Sequence, residues 1–224
     1  MKVFRACLTL GFVVSSGMAQ LCEGANADSL ELNQEDLRIT IHVFNYARIA
    51  RDELIQAERE ATNILDRAGV KVIWSDCAAS IKDAPRHRPC DGLYDSTNLF
   101  LEIQPWSTVK TLGLNETMLG ACTASLDGGH HTQALVSYGR VEFLAFQWDI
   151  DGARILGAAA AHEIGHLLLR QPSHSSVGIM RSDFSKEDFR YFNWRHLRFT
   201  DEQAQAIQAE VLARFGAAKP SNIK

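Results

Sequence analysis

The sequence predicts a mixed α/β (α+β) fold in one domain: a twisted mixed sheet, a backing helix, a buried helix and a C-terminal helix. Three observations carry that expectation. Leu37, Ile39, Ile41 and Val43 alternate with Arg38, Thr40, His42 and Phe44, the two-residue period of a strand with distinct faces. A helical pattern and a second apolar run follow directly, the order of a right-handed parallel strand–helix–strand unit. The stretch from about 151 to 169 is apolar on most of its surface, which marks a helix as buried.

The first helix covers about 50–68. Leu54, Ala57, Ala61, Ile64 and Leu65 recur at helical spacing, and Gly69 suits the stop. Val70, Val72, Ile73 and Trp74 form the second strand; Leu99, Leu101 and Ile103 form a third, closed by Pro105. A segment with Gly113, Gly120, Gly128 and Gly129 leads to a strand at 134–138, and the buried helix runs from about Asp151 to Leu169. In the last helix Thr200 and Gln203 make a capping box, Ala204, Ile207, Val211 and Phe215 make the stripe, and Gly216 ends it. No repeat, low-complexity tract or linker interrupts 37–215.

Of the 224 residues 46% are hydrophobic and 22% charged, which is globular composition and not disorder. Net charge is −4, from 23 basic and 27 acidic residues with no basic block, so nucleic-acid binding has no electrostatic footprint. No apolar run reaches the roughly 20 residues of a membrane-spanning helix. Lys2 and Arg5, the apolar stretch Ala6 to Val14 and small residues through Ala19 have the order of a secretory signal. A signal peptide is therefore expected within 1–27, cleaved after Ala19 or Ala27; the alternative is a short buried N-terminal helix. Leu21, bulky before Cys22, argues against a lipoprotein. Secretion or a periplasmic location follows, with no stable membrane insertion once the signal is removed.

Cys7 leaves with the signal, and Cys22 is a candidate to leave too. Cys77 and Cys90 flank a polar segment containing Pro85 and Pro89, and in an oxidising compartment a bridge between them is expected. The alternative is that Cys77, Cys90 and Cys122 are unrelated buried thiols. With no CxxC pair, a cysteine-ligated zinc site is not expected.

The chemistry sits in His162-Glu163-Ile164-Gly165-His166. Histidines four apart on a helix lie on one face, one turn apart, and two imidazoles there can reach one zinc ion at about 2.0–2.1 Å. Glu163 is offset by about 100°, near the metal without having to ligate it, and so placed to take a proton from an attacking water. On an apolar helix such groups are costly without a metal or hydrogen-bond partners. Catalytic zinc usually has three protein ligands. His174, just past Gln171-Pro172 where the chain must turn, is the preferred third; Glu187, His196 and the pair His130-His131 stay open.

This arrangement, followed by Val177-Gly178-Ile179-Met180, resembles the metzincin zinc endopeptidases. That family carries HExxHxxGxxH and then a tight turn with a methionine beneath the metal. The specific part of the resemblance is 162–180. It implies a zincin-like catalytic domain over 28–224, one catalytic Zn2+ on His162, His166 and His174, Glu163 as general base, and Met180 as the turn methionine. Leu112-Gly113-Leu114 and Asp127-Gly128-Gly129-His130 through Tyr138 are candidates for the family's edge strand and glycine-rich segment. Two extra residues separate His166 from His174, and Leu169-Arg170 stand where the family has its glycine. The turn is therefore expected to take a different backbone course. No tyrosine follows Met180 closely, and Tyr191 is too remote to assign. Small secreted bacterial members with the longer spacing are the most similar.

The resemblance implies hydrolysis of peptide bonds by a zinc-activated water, acting on a peptide or protein substrate. Alternatives are a zinc-binding scaffold without activity and a hydrolase of a non-protein amide such as a cell-wall crosslink. A long inhibitory pro-segment is not expected, and a monomer is assumed.

Overall fold

The computed structural model describes residues 37–77, 90, 94–115, 117–122, 130, 132–170, 174–190 and 196–218. The signal expected within 1–27, the segment 78–89, Asp127-Gly128-Gly129, His131, Gln171-Pro172 and Tyr191 lie outside these residues.

The first unit forms where the apolar alternation places it. Strand β1 (Arg38–Asn45) is followed by helix α1 (Arg51–Arg67) and strand β2 (Lys71–Cys77), which pairs with β1 in parallel, Ile39 beside Val72 and Val43 beside Asp76. Gly69 stops α1 at φ 80°, where its N–H reaches Asp66 O at 3.0 Å and the Val70 N–H reaches Leu65 O at 3.2 Å. Those two bonds satisfy carbonyls that the helix end would otherwise leave open. Strand β3 (Asn98–Gln104) joins the other side of β1 in parallel and is followed by a short helix α2 (Trp106–Thr111).

Strand β4 (Gly120–Cys122) and strand β5 (Gln133–Ser137) complete a five-stranded sheet of order β2-β1-β3-β5-β4, antiparallel only at the β4 edge. Of the stretches expected to supply an edge strand, 112–114 is not a strand, Leu112 and Gly113 turning the chain out of α2. The described part of 127–138 holds β5, which lies inside the sheet beside the edge strand β4. Three residues are too few for alternation to show. Helix α3 (Tyr138–Trp148) was also hidden from the sequence, because it begins directly at the end of β5 with no turn residue between. It also leaves Phe143 and Phe146 exposed, which blurs its helical stripe.

Helix α4 (Gly152–Leu169) starts at Asp151, whose carboxylate accepts the Ala153 N–H at 3.0 Å. It packs on α1 and against β3, β4 and β5. Ile39, Ile41, Val43, Leu99, Leu101, Ile103, Leu156, Ala160 and Ile164 are part of the core between sheet and helices. The opposite face of β1 carries His42, stacked on Phe100 and edge-on to Tyr94. Cys77, at the end of β2, is disulfide-bonded to Cys90 with Cα atoms 5.5 Å apart, and Cys122 is a free thiol.

After α4 come a one-turn helix α5 (Lys186–Arg190) and helix α6 (Asp201–Ala218). The expected capping box is formed: the Thr200 N–H donates to Gln203 Oε1 at 2.9 Å and the Gln203 N–H to Thr200 Oγ1 at 3.2 Å. Gly216 does not end α6, which runs on to Ala218. A glycine ends a helix where it adopts positive φ, and Gly216 does not. No helix among the described residues is long and apolar enough to cross a membrane.

Candidate metal centre

The face of α4 that carries His162 and His166 is buried; the two residues keep 6% and 5% of their surface. His174, in the exposed stretch after the helix, meets them from the other side. His166 Nε2 lies 3.0 Å from His162 Nε2 and 3.3 Å from His174 Nε2. A single ring N–H at His166 Nε2 can make a well-aligned hydrogen bond to only one of the other two nitrogens. The spacing instead suits a common cation, since tetrahedral ligands about 2.0–2.1 Å from zinc stand about 3.3 Å apart.

The tautomer of His162 follows from its partner. Its Nδ1 is 2.7 Å from Ile179 O, which can only accept, so Nδ1–H donates and Nε2 presents a lone pair to the cluster. Burial is the main cause holding the His162 pKa down to about 4, with His166 and His174 adding to it and the bond to Ile179 opposing. The imidazole is therefore neutral at physiological pH, the form a metal takes.

Ile179 belongs to a tight turn. The Ser175 N–H donates to Met180 O at 2.8 Å and the Ile179 N–H to Arg198 O at 2.9 Å. Gly178 has φ 77°, and a Cβ there would stand 2.4 Å from Arg198 O, so the turn demands glycine. Met180 is fully buried and packs on Gly165, where a Cβ would lie 2.6 Å from its Sδ. Met180 thus sits against the backbone between the two helical histidines.

Arg170 corrects an expectation. It does take the left-handed conformation, φ 53° and ψ 26°, as the C-cap of α4, its N–H bonded to His166 O at 3.1 Å. A non-glycine residue there costs about 1–2 kcal/mol. Its guanidinium stands 4.0 Å from the Glu210 carboxylate, which offsets part of that cost.

Glu163 retains 4% of its surface, lines the cleft beside His162, and has no hydrogen-bond partner among the described residues. Burial raises its pKa to about 8. Gly120 on the edge strand lies against it: a Cβ there would come within 2.6 Å of Glu163 Cγ and Oε1. This shift makes a prediction for metal-free protein. The unfolded carboxyl ionises near 4.5, so between about 4.5 and 8 the native state binds more protons and stability falls as pH rises. The Tm of Glu163→Gln should therefore gain on wild type from pH 5 to pH 8, by about 1.4 kcal/mol of stability per pH unit at most. A gap that stays constant across that range in chelator-treated protein would show that the carboxyl does not titrate as described.

The cleft above this cluster has a volume of about 200 Å³. Phe184 stands edge-on to His162, ring centroids 5.8 Å apart, and Trp148 and Arg140 reach the cleft from α3. Glu187, His196 and His130, the other candidates for a third ligand, share no three-donor group with His162 and His166 among the described residues. His130 Nδ1 instead faces Glu210 Oε1 at 2.8 Å. A second group, His42 with Cys77 and Cys90, also brings donor atoms together, but its two sulfurs are bonded to each other.

The sequence reading missed the support beneath α4. Arg214 of α6 is wholly buried; its Nε donates to Glu210 Oε1 at 2.9 Å and its Nη2 to Leu167 O at 3.0 Å. Leu167 O is one of the carbonyls left open at the end of α4, one residue past His166. Arg140 and Gly120 were missed as well, because nothing local marks a cleft wall.

No family model and no curated protein matches the chain. Among solved structures, a zinc-dependent peptidase from Methanocorpusculum labreanum (strain Z) aligns at 16% identity and a TM-score of 0.47, over 75% of this chain and 99% of that one. Archaemetzincin from Methanopyrus kandleri aligns at 13% identity and a TM-score of 0.45, over 82% of this chain and 99% of that one. At such identities neither likeness transfers a residue role.

Proposed function

We propose that this protein is an exported zinc peptidase of the metzincin kind, with His162, His166 and His174 as the metal ligands and Glu163 as the general base. The observation that carries the reading is the convergence of three imidazole Nε2 atoms beside a buried, unpartnered carboxylate in an open cleft. Three nitrogen donors with room for a water suit a catalytic zinc site. Bound zinc supplies Lewis acidity, making water a nucleophile near neutral pH and polarising a substrate carbonyl.

The chain's own residues do the rest. Ile179 O orients His162, and Met180 packs beneath the histidine pair as the turn methionine. A cation beside Glu163 favours its carboxylate over the neutral acid that burial alone favours, which readies it as a base. Glu163 then accepts a proton from the attacking water and returns it to the leaving amine. Among the described residues no strand pairs with the outer edge of β4, which offers backbone groups to an extended peptide.

The reading is tested by metal content. Purified protein should carry about one zinc per chain, the count that a single three-ligand site holds. His174→Ala should lose zinc and peptide cleavage together, because a missing ligand weakens affinity. His196→Ala should keep both. Full zinc occupancy in His174→Ala, or zinc loss in His196→Ala, would overturn the ligand set.

A further inference from the structure

We infer that Arg140 makes the cleft selective for a carboxylate close to the scissile bond, on an acidic side chain or a free C-terminus of the substrate. The inference rests on the peptidase reading of the site and names what that site prefers.

Arg140 lies in the first turn of α3 and lines the same cleft as His162 and Glu163. Its Nε is buried and has no hydrogen-bond partner, and no carboxylate pairs with it among the described residues. That N–H is closed to solvent and makes no bond to the protein, so no hydrogen bond there fixes the guanidinium to a protein acceptor, and Arg140 remains available to an acceptor that enters the cleft it lines. The guanidinium stands 5.0 Å from the centre of the Phe143 ring, which restrains it before any ligand comes.

The neighbouring charges point the same way. Arg181, the cleft's other guanidinium, is ion-paired to Asp188 and so already has its counter-charge. The cleft's own acids are Glu163 and Asp183; Asp183 accepts from Ser182 Oγ at 3.0 Å and forms no ion pair with Arg140. Arg140 is thus the guanidinium in the cleft that lacks a carboxylate partner among the described residues. A carboxylate offers two oxygens that match the guanidinium fork, whereas an amide offers one oxygen and no charge. A lysine or arginine on the substrate would meet like charge there.

The test uses internally quenched peptides that differ only as Asp against Asn, or Glu against Gln, at the two positions on each side of the cleaved bond. A further pair differs as free acid against amide at the C-terminus. For zinc-loaded wild type, kcat/KM should favour the acid about ten- to hundredfold at one position. That ratio should fall to about one in Arg140→Met and survive in part in Arg140→Lys. Titration calorimetry on zinc-loaded Glu163→Gln should show the same preference in Kd, lost when Arg140→Met is added. Preference confined to the side-chain pairs supports an internal acidic residue as the source, and preference confined to the terminal pair supports a free C-terminus. Equal rates for every acid and amide pair, or an undiminished ratio in Arg140→Met, would overturn the inference and leave the peptidase reading standing. Failure of zinc-loaded wild type to cut any peptide would overturn both.

Discussion

Glu163→Gln should retain zinc and fold normally while its turnover falls by at least the roughly 10²–10⁴-fold that a positioned general base contributes. The substitution keeps the side chain's shape, so the fit against Gly120 is undisturbed, and it leaves the three histidines untouched. What it removes is the group proposed to accept and return the proton. Among the described residues no second carboxylate stands ready: Asp183, the other acid of the cleft, is exposed and bonded to Ser182. Peptide cleavage compared at matched zinc occupancy is the decisive measurement. Cleavage by Glu163→Gln at the wild-type rate would remove Glu163 from the mechanism. An inactive wild type with full zinc would instead favour a zinc-binding scaffold.

The second large effect belongs to stability. Glu210→Ala should destabilise the protein by about 3–5 kcal/mol, the cost of leaving a buried charge without its partner. Arg214 is wholly buried, and burial already lowers its pKa against the opposing pull of Glu210. Removing Glu210 takes away the carboxylate that the guanidinium donates to, and leaves Arg170 as a like-charged neighbour. For a domain of this size that loss lowers Tm by roughly 10 °C. Adding Arg214→Met should recover part of it, since an apolar side chain of similar length needs no counter-ion. Thermal melts of the single and double variants decide the matter. A Glu210→Ala protein within about 1 kcal/mol of wild type would refute the account, since an ordinary single substitution costs about that much. Because Leu167 adjoins His166, zinc affinity should weaken in the same variants.

What could be read in advance was what repeats or what is spaced. Alternation in 37–43, the helical recurrence of Leu54, Ala57, Ala61, Ile64 and Leu65, and the capping pair Thr200 and Gln203 are local signals, and each corresponds to an element of the fold. The histidine spacing was legible for the same reason: a helix converts a separation of four residues into a shared face whatever surrounds it. Short or abutting elements were not legible. Strand β4 has three residues, α5 has five, and α3 starts where β5 stops, so none carries enough periods to announce itself.

Arg170 shows the opposite error, an expectation that was local and failed. Its side chain argued against a left-handed cap, yet the tertiary structure imposes one, because the chain must turn at the end of α4 and Glu210 is there to meet the guanidinium. Arg214 stood in plain view seven residues after Ile207 and three after Val211, on the apolar stripe of α6, but its meaning depends on Leu167 and Ser96, which are distant in the chain. The convergence of His174 on the helical pair is of the same kind. Periodicity and spacing act within a few turns of backbone, so they identify elements and the donors on one helix face. Which third imidazole arrives, which carboxylate neutralises a buried arginine, and which arginine is left facing the cleft depend on how distant elements pack, and that is settled only when the core closes.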